Sequence, residues 1–287
     1  TWGTFLMIAA RVDGGRCSAR ASIAAYARRE LGRDGALFRD RCGSGLVRSG
    51  ERVLVHSAAG GVGLAAVHLA LAAGCRVYGT ASTSEKRSLL LGLGCRAVFN
   101  SRDFKLFAKG IAETIAAEEA EEVAGKQRRL CQRVSQQPRF RGLRATTGRA
   151  GAMGGAELSE TEGLSQGCVD VVLNSLAGEA ATVSLQLLRP FGRFLELGKR
   201  DSYEDNKLTL WPFLRGLTYA AAHLDVFMLE RPDEAAALLR EVWAALPSLP
   251  PLPVKTFAMR DLDSALAHMS KGCHIGKIVL VNRTDYD

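Results

Sequence analysis

The chain has 287 residues, of which 47% are hydrophobic and 24% charged, a composition typical of a globular protein with a sizeable core. It contains no uninterrupted apolar run of about 18 residues and does not begin with a basic region followed by an apolar one, so we predict neither a membrane span nor a secretory signal. The seven cysteines are scattered without a C-x-x-C pair, which favours reduced thiols in a cytoplasmic protein and argues against a structural zinc site.

The net charge of +8 is concentrated in one segment. Residues 124–150 contain eight Lys and Arg residues and no acid, and the remainder of the chain is balanced. A nucleic-acid-binding function would therefore depend on that segment alone, because no excess of basic residues extends over the rest of the chain. We predict that nucleic acid is not a partner of this protein.

From residue 46 onward, short apolar runs alternate with helical segments, whereas residues 1–45 are only weakly patterned. This alternation predicts an α/β fold with a Rossmann-type, doubly wound parallel sheet over residues 46–282. The predicted elements in chain order are strand 52–57, helix 62–73, strand 75–80, helix 84–91, strand 97–99, helix 104–117, strand 169–174, helix 177–188, strand 192–198, strand 217–223, helix 232–245, strand 252–258, helix 261–271 and strand 276–281.

Residues 118–166 interrupt this alternation. They begin acidic, become basic and end rich in Gly, Ala and Ser, and no apolar period holds across them. A segment of this composition buries too little apolar surface to offset the entropy lost on ordering. We therefore predict a disordered insertion over residues 118–166, within the nucleotide-binding domain.

A glycine-rich turn joins the first predicted strand to the first predicted helix. Its sequence over Ser57–Gly63 is SAAGGVG. Glycines in such a turn let the backbone approach a pyrophosphate, which then lies on the N-terminus of the following helix. A glycine cluster alone also suits an ordinary turn, but its place in a βαβ unit favours dinucleotide binding. The predicted cofactor contacts in this turn are Ala59, Gly60, Gly61, Val62 and Gly63.

The end of the second predicted strand indicates which dinucleotide is bound. An NAD site carries Asp or Glu at this place to hold the ribose hydroxyls, whereas residues 80–84 of this chain read TASTS. Ser82 can donate to a 2′-phosphate, and Lys86 and Arg102 follow the second and third strands. These residues favour NADPH over NADH, although Lys86 and Arg102 also suit ordinary solvated positions on a helix and a loop.

Four stretches resemble the enoyl reductase domains of type I polyketide and fatty acid synthases, which belong to the zinc-free medium-chain dehydrogenase/reductases. They are ERVLVHSAAGGVG at Glu51–Gly63, VDVVLNSLAGE at Val169–Glu179, GRFLELGKRD at Gly192–Asp201 and HIGKIVL at His274–Leu280. Quinone reductases of the same superfamily share the glycine turn but are less similar at the other three stretches. A quinone-type reductase is therefore the second interpretation.

The resemblance implies NADPH-dependent reduction of a trans-2-enoyl thioester that is carried on an acyl carrier protein beside other synthase domains. The proton donors proposed for that family are a lysine and an aspartate, which match Lys199 and Asp225. Members of the superfamily also dimerise through edge strands, here residues 217–223 or 252–258. The resemblance further implies cofactor contacts at Asn174, Ser175, Leu176, Leu197, Gly198, His274, Gly276 and Lys277.

The N-terminal part of the chain departs from this family. A complete member has a GroES-like substrate domain before the nucleotide-binding domain, whereas residues 1–45 match that domain poorly. We therefore expect only a remnant of the substrate domain, and an imperfect gene model is one hypothesis for both this segment and residues 118–166. A third interpretation follows, in which the chain is a non-catalytic NADPH-binding module.

Overall fold

A computed structural model describes residues 47–136, 167–245, 247 and 249–281. Its centre is a six-stranded sheet in which all neighbouring strands are parallel. The strands are β1 (Arg52–Val55), β2 (Arg76–Ala81), β3 (Ala97–Asn100), β4 (Val169–Asn174), β5 (Leu188–Glu196) and β6 (Thr218–Ala221), and they lie in the order β3-β2-β1-β4-β5-β6. The chain therefore winds from β1 to one edge of the sheet and from β4 to the other, which confirms the predicted Rossmann-type fold.

Helices connect these strands and cover both faces of the sheet. They are α1 (Gly61–Ala72), α2 (Ser84–Gly92), α3 (Phe104–Gln136), α4 (Glu179–Gln186), α5 (Arg200–Tyr203), α6 (Leu224–Glu230), α7 (Pro232–Ala245) and α8 (Leu262–Ser270). Two short 3₁₀ turns occupy Trp211–Arg215 and Met259–Asp261. None of the helices in the described ranges is both long enough and apolar enough to cross a membrane.

Alternate residues of the central strands divide the core into two layers. On β1, Val53 and Val55 belong to one buried cluster, which includes Leu64 of α1. Leu54, between them, belongs to a second cluster, which includes Phe107 of α3. Successive side chains of a strand point to opposite faces, so a strand covered on both faces reads as an unbroken apolar run. This is the physical reason that the sequence shows the central strands so clearly.

Helix α3 corrects the prediction of disorder at the start of residues 118–166. It continues through residues 118–136 instead of ending at residue 117. Glu, Arg, Gln and Ala dominate this part of the helix, and they have high intrinsic helix propensity without any apolar period. Residues 137–166 lie outside the described residues, as do residues 1–46 with the predicted remnant of a substrate domain.

Polar contacts join the continued part of α3 to the amino ends of β1 and β2. The guanidinium of Arg52 donates to Glu119 Oε1 at 2.6 Å, and the hydroxyl of Tyr78 donates to Glu118 Oε2 at 2.6 Å. Arg52 is only 6% exposed, so the carboxylate of Glu119 compensates a charge that would otherwise be buried alone. These contacts explain why an acidic stretch is ordered here.

The last two strands lie outside the six-stranded sheet, which corrects their predicted place in it. β7 (Val254–Ala258) and β8 (Lys277–Val281) form a separate parallel pair. Immediately before β8, Gly276 forms a bridge with Gly60, and its amide donates to the carbonyl of Ala59 at 2.9 Å. These contacts hold the C-terminal segment against the glycine turn instead of beside the edge strand β6.

Candidate functional site

The predicted site residues gather at one edge of the six-stranded sheet. All six strands run in the same direction, so their carboxyl ends meet at this edge. Open α/β sheets bind ligands at that edge, at the point where the strand order reverses, which in this protein lies between β1 and β4. The ends of the strands of this sheet, together with the loops and first helical turns that follow them, contribute all the predicted residues except His274, Gly276 and Lys277, which belong to the segment at β8.

The glycine turn presents the N-terminus of α1 at this edge. Ser57 takes a left-handed conformation, with φ of 50°, and its carbonyl accepts from the amide of Gly60 at 2.9 Å. A Cβ on Gly63 would lie 2.4 Å from the carbonyl oxygen of Ser57, so only glycine fits this close approach. Helix α1 begins at Gly61 without a side-chain cap and without an acid in its first turn. Its first amides are therefore suited to an anion.

Lys277 lies directly against this turn. A Cβ on Gly61 would stand 2.2 Å from Lys277 Cε and 2.9 Å from its Nζ, so a glycine at position 61 makes room for the lysine stem. Burial lowers the pKa of Lys277. The structure thus brings a cation to the helix N-terminus and gives Gly61 a packing role that the sequence did not reveal.

A buried hydrogen-bond chain fixes the start of the turn. His56 is 2% exposed; its Nδ1 lies 3.0 Å from Thr80 Oγ1, and its Nε2 lies 2.8 Å from Ser184 Oγ. Ser184 donates its hydroxyl proton to the carbonyl of Ala180 at 2.7 Å, so it accepts from Nε2–H, and Nδ1 then accepts from Thr80. Burial lowers the pKa of His56 to about 3, which keeps the imidazole neutral. His56 is therefore a positioning residue for the turn.

The basic residues at the ends of β2 and β3 differ in exposure. Lys86 is 7% exposed and donates to the carbonyl of Gly272 at 2.6 Å, so it joins α2 to the segment before β8. Arg102 is exposed after β3, and Ser82 is half-buried at the end of β2. Arg87, which sequence reasoning did not single out, donates to the carbonyl of Ala81 at 3.3 Å and adds a second guanidinium at this place.

The loops after β4 and β5 share a buried carboxylate that sequence reasoning also missed. Asn174 and Glu196 end these two strands and are neighbours in register. Asn174 is fully buried and donates to Glu196 Oε2 at 2.5 Å, while the amide of Gly198 donates to Glu196 Oε1 at 2.6 Å. Burial raises the pKa of Glu196 to about 7. The signal in the sequence is a single acid inside the apolar strand GRFLELG.

Beyond these loops, the structure pairs the two predicted proton donors. Lys199 follows β5, Asp225 lies in the first turn of α6, and the Lys199 ammonium forms an ion pair with Asp225 Oδ2. The Lys199 side chain is 22% exposed and that of Asp225 is 48% exposed, so the pair can be reached from solvent. The hydrogen bond from Lys199 lowers the pKa of Asp225. The predicted pair is therefore one unit, although the sequence separates its members by 26 positions.

The segment before β8 brings His274 toward the basic side of the site. Its Nδ1 is buried and has no hydrogen-bond partner among the described residues, and its ring lies 6.5 Å from that of His268. Burial, followed by the charge of Lys86, lowers the pKa of His274. Lys86 and Lys277 thus both lie within electrostatic range of His274, on the segment that packs against the glycine turn through Gly276.

Together these features fit a dinucleotide cofactor. The glycines leave no Cβ over the turn, the first amides of α1 carry no side-chain cap, and the second strand ends without an acid.

Family models described as zinc-binding dehydrogenase match residues 61–136 and 154–280. Within the ranges that the structure describes, no group of three or more His, Cys, Asp or Glu could hold a metal ion. The fold and this match define a nucleotide-binding domain of the dehydrogenase type.

Comparison with individual proteins narrows this class. A phenolphthiocerol/phthiocerol polyketide synthase of Mycobacterium tuberculosis is 35% identical over 241 residues, which cover 83% of this chain and 9% of that protein. The solved nucleotide-binding subdomain of the enoylreductase domain of PpsC from the same organism is 31% identical with a TM-score of 0.52, covering 81% of this chain and 99% of that one. A quinone oxidoreductase of Thermus thermophilus is 22% identical with a TM-score of 0.53, covering 94% of this chain and 68% of that one, and shares the fold.

The chain belongs to the family of enoyl reductase domains of polyketide synthases, which confirms the resemblance seen in the sequence. The chain spans only 9% of the length of the first curated relatives that it matches, and it covers 99% of the solved nucleotide-binding subdomain. Those relatives are multidomain synthases.

Proposed function

We propose that this chain binds NADPH and contributes to the reduction of a trans-2-enoyl thioester on an acyl carrier protein during polyketide chain elongation. The observation that carries this proposal is the ion pair of Lys199 and Asp225 at the same sheet edge as the glycine turn. When bound, the cofactor supplies a hydride to the β-carbon. The protein binds and orients the two reactants and delivers a proton to the α-carbon.

The choice of NADPH follows from charge at the ends of β2 and β3. Residues 82–84 provide hydroxyls where an NAD site has a carboxylate, so a 2′-phosphate meets no like charge there. The exposed Arg102 and the half-buried Arg87 are more accessible to it than Lys86, which is 7% exposed and donates to Gly272. In this proposal Lys86 therefore supports the phosphate site indirectly, by binding the segment before β8.

Lys199 and Asp225 act as one proton-donating unit in this proposal. The carboxylate of Asp225 forms an ion pair with the ammonium of Lys199 and so orients it, and an ammonium can donate a proton or polarise a thioester carbonyl. The predicted partners are the acyl carrier protein, other synthase domains and a second copy of the chain. Of the two strands named for dimerisation, β6 lies at the edge of the six-stranded sheet, whereas β7 pairs with β8.

The test measures NADPH binding by fluorescence and NADPH oxidation with a trans-2-enoyl thioester, for the wild type and for Lys199→Ala. Lys207→Ala is the matched control, since Lys207 is an exposed lysine after α5. We expect Lys199→Ala to lower turnover by about 100-fold, in the range that general acid catalysis provides, with NADPH affinity unchanged. Binding without turnover in the wild type would restrict the function to a cofactor-binding module. Turnover of quinones alone would favour the quinone-type alternative, and absence of NADPH binding would overturn the proposal.

A further inference from the structure

The carboxylate of Glu196 lies where the loops after β4 and β5 meet. Glu196 is 3% exposed, and each of its two oxygens accepts one short hydrogen bond. The first donor is the side-chain amide of Asn174, at 2.5 Å, and the second is the backbone amide of Gly198, at 2.6 Å. A Cβ on Gly198 would stand 2.7 Å from Glu196 Oε1, so this close approach requires glycine. One carboxylate therefore sets the position of the backbone that leads to Lys199.

The same carboxylate also orients Asn174, whose side chain holds the loop after β4. Asn174 Nδ2 donates to the carbonyl of Leu176 at 2.8 Å as well as to Glu196, and Asn174 Oδ1 accepts from the amide of Leu176 at 3.2 Å. The amide of Leu197 donates to the carbonyl of Asn174 at 2.9 Å. Because both amide hydrogens of Asn174 are engaged, the orientation of this side chain depends on Glu196. Leu176, Leu197 and Gly198 are thus held in one network.

We propose that Glu196 is a positioning residue, whose ionised carboxylate holds residues 174–176 and 197–198 in the arrangement that binds the cofactor and aims Lys199. The proposal rests on the proposed NADPH-binding function. Glu196 itself is enclosed and does not reach the surface of the site, so it acts through the backbone of Gly198 and the side chain of Asn174.

The charge state of Glu196 decides whether the network is complete. Both neighbours of the carboxylate are donors, so an ionised carboxylate satisfies both, whereas a protonated one turns an O–H toward a donor and loses a bond. Burial and, to a smaller extent, the charge of Asp201 in α5 raise the pKa of this group to about 7 in spite of the two bonds. Tyr219 of β6 also faces Glu196, and burial together with that carboxylate raises the pKa of the phenol to about 12. Of these groups, Glu196 therefore titrates near neutral pH.

The experiment compares the Kd for NADPH of the wild type and Glu196→Gln between pH 6 and 8.5, with Glu204→Gln, directly after α5, as an exposed control. Glutamine keeps the size of the side chain but offers one oxygen to two donors. We expect the variant to bind about tenfold more weakly at pH 8, the loss typical of a charge-assisted hydrogen bond, and to approach the wild type near pH 6. Because the 2′-phosphate titrates near pH 6, the readout is the ratio of the two proteins and not either profile alone.

A second measurement does not require that the variant fold. The ¹⁵N–¹H resonance of Gly198 in the wild type, without cofactor, should titrate with a midpoint near pH 7, since this amide donates directly to the carboxylate. A Gly198 resonance that stays constant from pH 6 to 8, or a Kd ratio near one at every pH, would overturn the positioning role alone. A wild type that fails to bind NADPH would overturn the proposed function and this inference together.

Discussion

The edge of the sheet at the amino ends of the strands and the edge at their carboxyl ends differ in how their charged and polar groups are paired. At the amino ends of the strands, Arg52 and Arg76 pair with Glu119 and Glu122 of α3 at 2.6 and 2.5 Å. At the carboxyl ends, α1 begins with neither a side-chain cap nor an acid. At the amino edge, the charged side chains pair with one another within the protein. At the carboxyl edge, the first amides of α1 have no side-chain cap and are suited to bind a ligand.

This contrast distinguishes the candidate site from a second concave surface, at the amino ends of the strands. A groove of about 470 Å³ lies at the amino edge, and its lining combines the basic residues Arg76, Arg96, Lys126 and Arg129 with the acidic Glu118, Glu121 and Glu122. These opposite charges neutralise one another, which also weakens a nucleic-acid role for the described part of the basic segment. The glycine geometry and the helix N-terminus lie instead at the carboxyl edge, where the candidate site is.

The largest expected effect comes from removing the close approach in the glycine turn. A Cβ in Gly63→Ala would meet the carbonyl oxygen of Ser57 at 2.4 Å and Ala58 Cα at 2.6 Å, and backbone atoms cannot yield as a flexible side chain can. We expect the free energy of unfolding to fall by about 3 kcal/mol, at the upper end of overpacking effects, and NADPH binding to be lost. Chemical denaturation and fluorescence titration measure the two results.

Gly125→Ala on α3 is the matched control, because no atom lies within 4 Å of a Cβ at that position. It should stabilise the helix by about 0.5–1 kcal/mol and leave NADPH binding unchanged. A Gly63→Ala protein as stable as the control would contradict the packing described for the turn.

The next effect is a pH dependence of stability that two buried groups of the carboxyl edge produce. The folded-state pKa of Glu196 is raised from 4.5 to about 7, so its contribution is full below about pH 4.5 and is lost as the pH rises through 7. The folded-state pKa of His56 is lowered from 6.5 to about 3, so its contribution is full above pH 6.5 and is lost as the pH falls. Between about pH 4.5 and 6.5 the two slopes oppose each other.

Glu196→Gln removes the contribution of Glu196, so the pH dependence of the unfolding free energy that His56 produces should become visible. From pH 5 to 7 the wild type should lose about 2–3 kcal/mol of unfolding free energy relative to the variant, at about 1.4 kcal/mol for each pH unit over which one proton differs. Denaturation series of both proteins at half-unit pH steps give this difference directly. Parallel curves for the two proteins would mean that folding does not raise the pKa of Glu196.

The sequence predicts most of this fold, since its central strands are covered on both faces and several helices start or stop at glycine or proline, as at Gly178 before α4, Pro232 at the start of α7 and Gly272 after α8. The helix over Pro232–Ala245 has the predicted bounds. The continued part of α3 was not predicted, because a helix is recognised in a sequence by its apolar period and this part has none. Glu118 and Glu119 stabilise it through Tyr78 and Arg52, which are distant in sequence.

The candidate site was predictable in its local motifs and not in its cross-strand contacts. The turn after β1 is contained in seven consecutive residues, Ser57–Gly63, so its glycines are visible. Glu196 was not singled out from the sequence, because its hydrogen-bond partner Asn174 lies 22 positions away and is adjacent to it only through the pairing of β4 with β5. The bond from Lys86 to the carbonyl of Gly272 could not be predicted from the sequence, because Gly272 lies 186 positions further along the chain.

The smallest effect tests whether the two edges are independent. Glu119→Gln removes the charge that faces the buried Arg52, but the Glu119 side chain is 52% exposed, so solvent screens much of the interaction. We expect a loss of about 1 kcal/mol in unfolding free energy, which shrinks as salt rises from 0.05 to about 1 M and the Debye length falls. Glu121→Gln, on the same helix and at an exposed position, is the control and should change stability by less than about 0.5 kcal/mol. NADPH affinity should stay unchanged in both variants, because Glu119 lies at the amino ends of strands whose carboxyl ends form the site. A weaker affinity in Glu119→Gln alone would mean that β1 transmits the state of Arg52 to the glycine turn, and the amino edge would then be part of the functional unit.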